Sequence, residues 1–213
     1  GVGEFGRNMT LYESDDYCLI VDCGMMFPEA DAFGVDRVIP DFQYILEKKE
    51  KKKVALLLTH AHEDHIGAVP FLLKQLNLPV FASPFSYGLL EKKILEMELD
   101  FPDYKDITAE ERFNFGSFTI EPIFVTHSIP ESFSFAIKSR DGIFLHSSDF
   151  KFDQTPLDSK ITDYFKFQKI GGEGVTAILI DSTNSESSSI AGSEKNVFKS
   201  LEKYISSFEK RLI

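Results

Sequence analysis

Short apolar runs rich in β-branched and aromatic residues alternate with polar segments along the chain, a pattern that predicts strands. The predicted strands cover residues 9–13, 17–22, 54–59, 79–83, 117–126, 134–139, 143–147 and 177–181. Apolar positions recur at helical spacing in 42–51, 68–76, 84–98 and 194–211, where we predict helices. Ser193 is the expected N-cap of the last helix, with Glu194 in its first turn. Because some strands are joined as hairpins and others through helices, we expect an α/β fold with mixed sheets flanked by helices.

Composition narrows the class of protein. The chain has 213 residues, of which 43% are hydrophobic, and 23 Lys and Arg against 34 Asp and Glu give a net charge of −11. These values exclude collagen-like, fully disordered and disulfide-scaffold proteins. The acidic balance disfavours unspecific nucleic-acid binding, but positive charge can be local, for instance on bound metal ions. With only Cys18 and Cys23, and no apolar run near the ~18 residues of a membrane span, we expect a cytoplasmic protein.

The strongest chemical signal is a histidine cluster. His60, His62 and His65 lie within six residues, together with Asp64. The cluster follows an apolar strand and precedes a helix, a position where functional sites tend to form. Imidazole and carboxylate suit zinc or a related divalent ion, and the first two histidines can serve one metal while Asp64 and His65 turn toward a second. The alternative is a polar surface loop with Asp64 as a helix N-cap, which does not explain three histidines.

Three further residues stand where predicted strands end. His127 and Asp149 are candidate ligands, and Asp149 could bridge two ions with its two oxygens. Asp22 could orient a ligand imidazole from behind. The alternative for each is an ordinary polar residue that caps a strand end or a turn. We predict that His146 is a packed strand residue instead.

These motifs together resemble ribonuclease J of bacteria, a family in the β-CASP branch of the metallo-β-lactamase superfamily. The resemblance extends over nearly the whole chain and rests on the joint pattern more than on the histidine cluster. The motifs are GEFGRNM (3–9), DCGMMFPE (22–29), IPDF (39–42), LTHAHEDHIGA (58–68), HSIP (127–130), SDFKFD (148–153) and DSTN (181–184).

The resemblance implies an incomplete αββα metallo-β-lactamase sandwich. Residues 1–190 would form the N-terminal part of this core, and residues 191–213 would begin the inserted β-CASP domain, with Glu194 matching that domain's first acidic motif. The family places a further histidine ligand after the insertion, whereas no histidine follows His146 here. Relatives usually read HTGD where this chain has HSSD (146–149), a change that keeps Asp149. We therefore expect these residues to be the front part of a longer enzyme.

The resemblance also implies an activity, the metal-dependent cleavage of RNA phosphodiesters in RNA processing and decay, exonucleolytic from the 5′ end and also endonucleolytic. Two divalent ions, expected to be zinc, would be the cofactors and RNA the partner, with any homo-oligomer formed through parts outside this chain. Asp64 would be the catalytic residue that orients the attacking water, with Asp22 behind the ligands. The ligands implied for the first metal are His60, His62, His127 and Asp149, and those for the second are Asp64, His65 and Asp149.

Two alternatives stay open at this point. The histidine cluster specifies bound water but not the leaving group, so a thioester hydrolase or a DNA-directed enzyme fits the same ligands. The unmatched last histidine also allows a catalytically incomplete chain that serves as a binding module.

Overall fold

The computed structural model describes residues 3–188 and 192–208. It contains ten strands and six helices in these ranges. The strands are β1 Thr10–Glu13, β2 Tyr17–Val21, β3 Lys53–Leu57, β4 Val80–Ala82, β5 Tyr104–Asp106, β6 Phe113–Phe115, β7 Phe118–Phe124, β8 Phe133–Ser139, β9 Gly142–His146 and β10 Ala177–Leu179. The helices are α1 Gln43–Lys49, α2 Glu63–Ile66, α3 Val69–Leu73, α4 Pro84–Glu96, α5 Tyr164–Glu173 and α6 Glu194–Ser207.

The strands form two five-stranded sheets. In the first sheet, with the order β1-β2-β3-β4-β5, β1 is antiparallel to β2 and the other pairs are parallel. The second sheet has the order β10-β9-β8-β7-β6 and is antiparallel except for the parallel pair of β10 and β9. Parallel neighbouring strands must be joined by a crossover connection. In the first sheet, α1 connects β2 to β3, the α2–α3 pair connects β3 to β4, and α4 connects β4 to β5.

The hydrophobic core explains the layers. In β2, Cys18 and Ile20 face the helices of the first sheet, while Leu19 faces the second sheet. Because both faces are covered, β2 and β3 read as continuous apolar runs. Ile170 of α5 packs on the outer face of the second sheet, against Ile123. The layer order is therefore helix, sheet, sheet, helix, which confirms the predicted αββα architecture with mixed sheets.

The predicted strands and the first three predicted helices are present, with ends that differ by up to three residues. Helix α6 begins after the predicted N-cap Ser193, whose side chain accepts a hydrogen bond from the Lys195 amide. The structure adds β5, β6, α2 and α5. The two strands have three residues each, and α5 buries only Ile170 and contains two glycines in its last turn, so their patterns are weak.

Two predictions fall on residues that the structure does not describe. The end of the last predicted helix, residues 209–211, and the predicted domain boundary between 190 and 191 both lie outside the described residues. In the described part of the chain, no helix has both the length and the apolarity needed to cross a membrane.

Candidate metal centre

The candidate ligands lie in loops that leave the ends of four strands. Asp22 follows β2, the segment 60–65 leads from β3 into α2, His127 follows β7 and Asp149 follows β9. Asp22 and Ser148 adopt left-handed backbone conformations, with φ of 61° and 55°. This conformation is uncommon for residues other than glycine, and it turns the chain sharply just where each strand ends.

The first group of ligand atoms consists of three imidazoles and one carboxylate. Nε2 of His60 lies 3.0 Å from Nδ1 of His62, and Nε2 of His127 lies 3.1 Å from that same Nδ1. Oδ2 of Asp149 lies 3.7 Å from Nε2 of His127. Neighbouring ligands of a tetrahedral zinc ion are about 3.3 Å apart, given metal–ligand distances near 2.0 Å. The structure thus brings together the four residues implied for the first metal, at a spacing that fits such an ion.

The second group of ligand atoms lies beside the first. Nε2 of His65 is 3.5 Å from Oδ2 of Asp64 and 3.4 Å from Oδ1 of Asp149. Asp149 therefore presents one carboxylate oxygen to each group. This is the arrangement expected of a carboxylate shared by two neighbouring cations. The three residues implied for the second metal are thus also brought together.

Electrostatics favour neutral imidazoles in the first group. Burial, helped by the neighbouring histidines, holds the pKa of His60 well below its usual value. Burial likewise lowers the pKa of His62, and it lowers the pKa of His127 to about 4. These rings are therefore uncharged at neutral pH, and their lone pairs are available for a cation.

His65 differs because a buried carboxylate stands behind it. Oδ2 of Asp22 lies 2.8 Å from Nδ1 of His65, and the same carboxylate accepts hydrogen bonds from the amide and hydroxyl of Thr59. Burial opposes the charged ring, but the carboxylates of Asp22 and Asp149 outweigh it and raise the pKa of His65 to about 10. Without a metal ion the ring is therefore charged at neutral pH. The hydrogen bond to Asp22 holds one proton on Nδ1, so a cation would displace the other proton from Nε2, which faces the other ligand atoms.

The sequence patterns did not single out three polar residues that contact these ligands. The hydroxyls of Thr59 and Ser148 lie 3.0 and 3.3 Å from Nδ1 of His60. The side-chain nitrogen of Asn8 lies 3.1 Å from both Oδ2 of Asp64 and Nε2 of His65. A signal for all three was present, because Asn8, Thr59 and Ser148 lie in motifs that resemble ribonuclease J.

Two other sequence hypotheses can be checked against the structure. The N-cap of α2 is His62, and Asp64 lies in the first turn of this helix, so the alternative role of Asp64 as an N-cap is wrong. His146 lies in β9, as predicted, with Nδ1 3.1 Å from the hydroxyl of Tyr12. It belongs to neither group of candidate ligands.

A cavity of about 560 Å³ opens beside the second group of ligands. Its lining includes five carboxylates, and no Lys or Arg is among the described residues that form it. These carboxylates belong to Glu4, Asp22, Asp64, Asp149 and Asp181. Such a surface repels an anionic ligand unless cations neutralise it. Bound metal ions would therefore make the cavity accessible to a phosphate group.

Several known proteins are similar to this chain in sequence or in fold. The family model described as the metallo-β-lactamase superfamily matches residues 2–173. The chain is 42% identical over 200 residues to Ribonuclease J of Helicobacter pylori, an alignment that covers 92% of this chain and 29% of that protein. It is also 42% identical over 214 residues to Ribonuclease J of Mycolicibacterium smegmatis, covering 100% of this chain and 38% of that protein.

Among solved structures, the fold is similar to that of Zn²⁺-bound PqqB from Methylobacterium extorquens. The TM-score is 0.55 at 13% identity, with 80% of this chain and 58% of that chain covered. The predicted resemblance to ribonuclease J is confirmed, although the chain spans only about a third of the length of these relatives. From the family match and the helix–sheet–sheet–helix layers, the chain belongs to the metallo-β-lactamase superfamily.

Proposed function

We propose that this protein is a metal-dependent ribonuclease that hydrolyses RNA phosphodiesters in the cytoplasm, both as a 5′-to-3′ exonuclease and as an endonuclease. Its cofactors would be two divalent ions, zinc in the first instance. The observation that carries the proposal is the position of Asp149, with one oxygen facing each group of ligands. The 42% identity to Ribonuclease J supports RNA as the substrate.

The residues have separate tasks in this proposal. His60, His62 and His127 would hold the first ion, while Asp64 and His65 would hold the second and Asp149 would contact both. Bound ions would supply a water molecule activated at neutral pH and would stabilise charge that develops on the phosphoryl oxygens. Asp22 would fix the ring of His65 through its hydrogen bond to Nδ1.

Asp64 is the proposed catalytic residue. Its side chain is 41% exposed, and it lines the cavity beside the second group of ligands. A carboxylate in this position can accept a hydrogen bond from the attacking water and can take its proton. Asn8 donates a hydrogen bond to Oδ2 of Asp64 and so limits the directions in which this carboxylate points.

The test is a cleavage assay with 5′-monophosphorylated RNA and the full-length protein. We expect cleavage by wild type, its loss on treatment with a chelator, and its recovery when Zn²⁺ or Mn²⁺ is restored. His62→Ala and Asp64→Asn should each lower the rate by at least about a hundredfold, the usual scale for removal of acid–base or electrostatic groups. A conservative change on the surface, Asp36→Asn, serves as the matched control because Asp36 is exposed.

The substrates of the same assay separate the proposal from its competitors. Matched single-stranded DNA and a thioester are offered beside the RNA. Turnover of either with inert RNA would reject the ribonuclease assignment while keeping the metal centre. Undiminished RNA cleavage by chelator-treated protein would reject the metal-dependent mechanism itself.

A further inference from the structure

The loop that follows β9 carries Asp149 and has few main-chain anchors. In the described part of the chain, one hydrogen bond between main-chain groups joins residues 149–155 to the rest of the molecule. It runs from the amide of Lys151 to the carbonyl oxygen of Thr126 at 2.9 Å. Thr126 directly precedes the candidate ligand His127. The remainder of this loop is therefore held by side chains.

Side chains of this loop bind the beginning of helix α6. Oδ2 of Asp153 accepts a hydrogen bond from the amide of Glu194 at 2.9 Å, and Oδ1 accepts one from the amide of Thr155 at 2.9 Å. The hydroxyls of Thr155 and Ser193 lie 2.9 Å apart, and that of Ser193 donates to the carbonyl oxygen of Thr155 at 2.8 Å. The ammonium group of Lys151 contacts the carboxylate of Glu194. These five residues form a joint between the loop and the helix.

Asp153 is the buried member of this joint, with 3% of its surface exposed. The first amides of a helix have no partner within the helix, and a side-chain oxygen that accepts from one of them stabilises the helix end. Asp153 holds one amide of the helix and one of its own loop, so its removal deprives both of that partner. No described residue of α6 is buried, so packing of the helix contributes little to holding the loop in place.

We propose that Asp153 is a positioning residue for Asp149. It belongs to neither group of candidate ligands, but it fixes the loop four residues beyond Asp149, while Thr126 fixes the loop through Lys151. Because Asp149 presents one oxygen to each group, displacement of the loop disturbs both groups together. The proposal rests on the proposed two-metal function, and it links the orientation of α6 to the metal centre.

The test compares Asp153→Ala with a matched control in the full-length protein. Asp163→Ala is that control, because Asp163 caps α5 by accepting a hydrogen bond from the amide of Lys166 at 2.9 Å, yet it belongs to neither ligand group. Asp153→Asn keeps one acceptor oxygen, and asparagine caps helices about as well as aspartate does. Metal-free protein is titrated with Zn²⁺ by calorimetry, and hydrogen exchange of residues 149–155 is followed by mass spectrometry without metal.

We expect Asp153→Ala to weaken both Zn²⁺ binding steps by about 10-fold, the lower end of the effect of groups that orient metal ligands. Hydrogen exchange of residues 149–155 should become faster in the same variant. Asp153→Asn should recover part of the affinity. Asp163→Ala should bind both ions as wild type does, although it too has lost a helix cap.

Three results would overturn the role of Asp153. If wild type binds two ions and Asp153→Ala binds them equally well or loses affinity in one step only, the positioning role is refuted and the two-metal function stands. An equal loss in Asp163→Ala would also refute it, because the loss of any helix cap would then be sufficient. If wild type binds fewer than two ions, the two-metal function and the role of Asp153 fail together.

Discussion

The carboxylate of Asp22 lies 2.8 Å from Nδ1 of His65, and both side chains are almost completely buried. Asp22 also accepts two hydrogen bonds from Thr59, the residue just before the histidine cluster. Through its hydrogen bonds to Thr59 and His65, one carboxylate therefore links the end of β2 to both ends of the ligand segment, residues 60–65. It decides which ring nitrogen of His65 faces the other ligand atoms, and this geometric role is independent of the identity of the metal.

Asp22→Asn should weaken the second metal site with little effect on the first. The amide keeps the shape of the carboxylate but removes the negative charge that stabilises the N–H of His65. We expect about a 10- to 100-fold loss of affinity in the second Zn²⁺ binding step, measured by calorimetry. Asp36→Asn, on the surface, should match wild type. An unchanged second step in Asp22→Asn would mean that the hydrogen bond does not orient the ring.

Gly24 allows two loops of the metal centre to approach closely. A Cβ atom at this position would lie 1.5 Å from the carbonyl oxygen of Asp64, which is backbone and cannot rotate away. Gly24→Ala should therefore displace the ligand segment and lower the free energy of unfolding by about 2 kcal/mol or more. Chemical denaturation measures the stability, and a Zn²⁺ titration should show loss of the second binding step. Wild-type values for both would contradict the close packing of these loops.

Gly88, unlike Gly24, has open space where a Cβ atom would lie. It lies in helix α4, and a Cβ there would meet nothing within 4 Å. Gly88→Ala should raise the free energy of unfolding by about 0.5–1 kcal/mol, because glycine costs more backbone entropy than alanine in a helix. The midpoint of denaturation should rise while Zn²⁺ binding stays unchanged. A fall in stability would show that this face of α4 is packed more tightly than its surroundings indicate.

The sequence predicted secondary structure best where burial alone determines the residue type. The buried strands β2 and β3 need apolar residues on both faces, so their positions were readable from the chain. Helix α5 was not predicted because it meets the second sheet mainly through Ile170, and a single buried residue leaves no periodic pattern. The strands β5 and β6 have three residues each, which is too short for an apolar–polar alternation to be recognised. Strand β5 pairs with β4 on the far side of helix α4, and β6 pairs with the adjacent β7.

In the candidate site, too, the sequence predicts some of the residues and misses others. Histidine and carboxylate side chains are common metal ligands, so His127 and Asp149 could be proposed as ligands although they are far from the histidine cluster in sequence. Asn8 and Thr59 carry side chains that serve many purposes in turns and caps. They contact the ligands because loops that are distant in sequence pack together in the fold, and this packing cannot be predicted from the sequence pattern.

Both cysteines should resist thiol reagents in the native protein. Cys18 and Cys23 are fully buried in the core beside the first sheet, and burial raises the pKa of each thiol. A buried thiol that stays protonated is a poor nucleophile. We expect negligible reaction with a chromogenic disulfide in buffer and reaction of both thiols in guanidinium chloride. Rapid labelling of the folded protein would show that this part of the core opens readily.

Glu13 should give the protein a component of stability that disappears in acid. Its carboxylate contacts Lys52 at 2.6 Å, Tyr44 at 2.6 Å and Lys48 at 3.0 Å. These hydrogen bonds, that of Lys52 first, lower the pKa of Glu13 from 4.5 to about 2. Because the pKa is lower in the folded state, the stabilisation is complete above pH 4.5 and is lost as the pH falls to about 2.

Glu13→Gln isolates this component, because the amide keeps the size of the side chain without its charge. The free energy of unfolding at pH 7 should fall by at most about 1 kcal/mol, since solvent screens an ion pair at the surface. The difference from wild type should shrink steadily below pH 4.5 and disappear as the pH falls through about 2. Urea denaturation at several pH values measures it, with the exposed Glu111→Gln as the matched control. A difference that stayed constant down to pH 2 would mean that Glu13 stabilises the fold through packing and not through its charge.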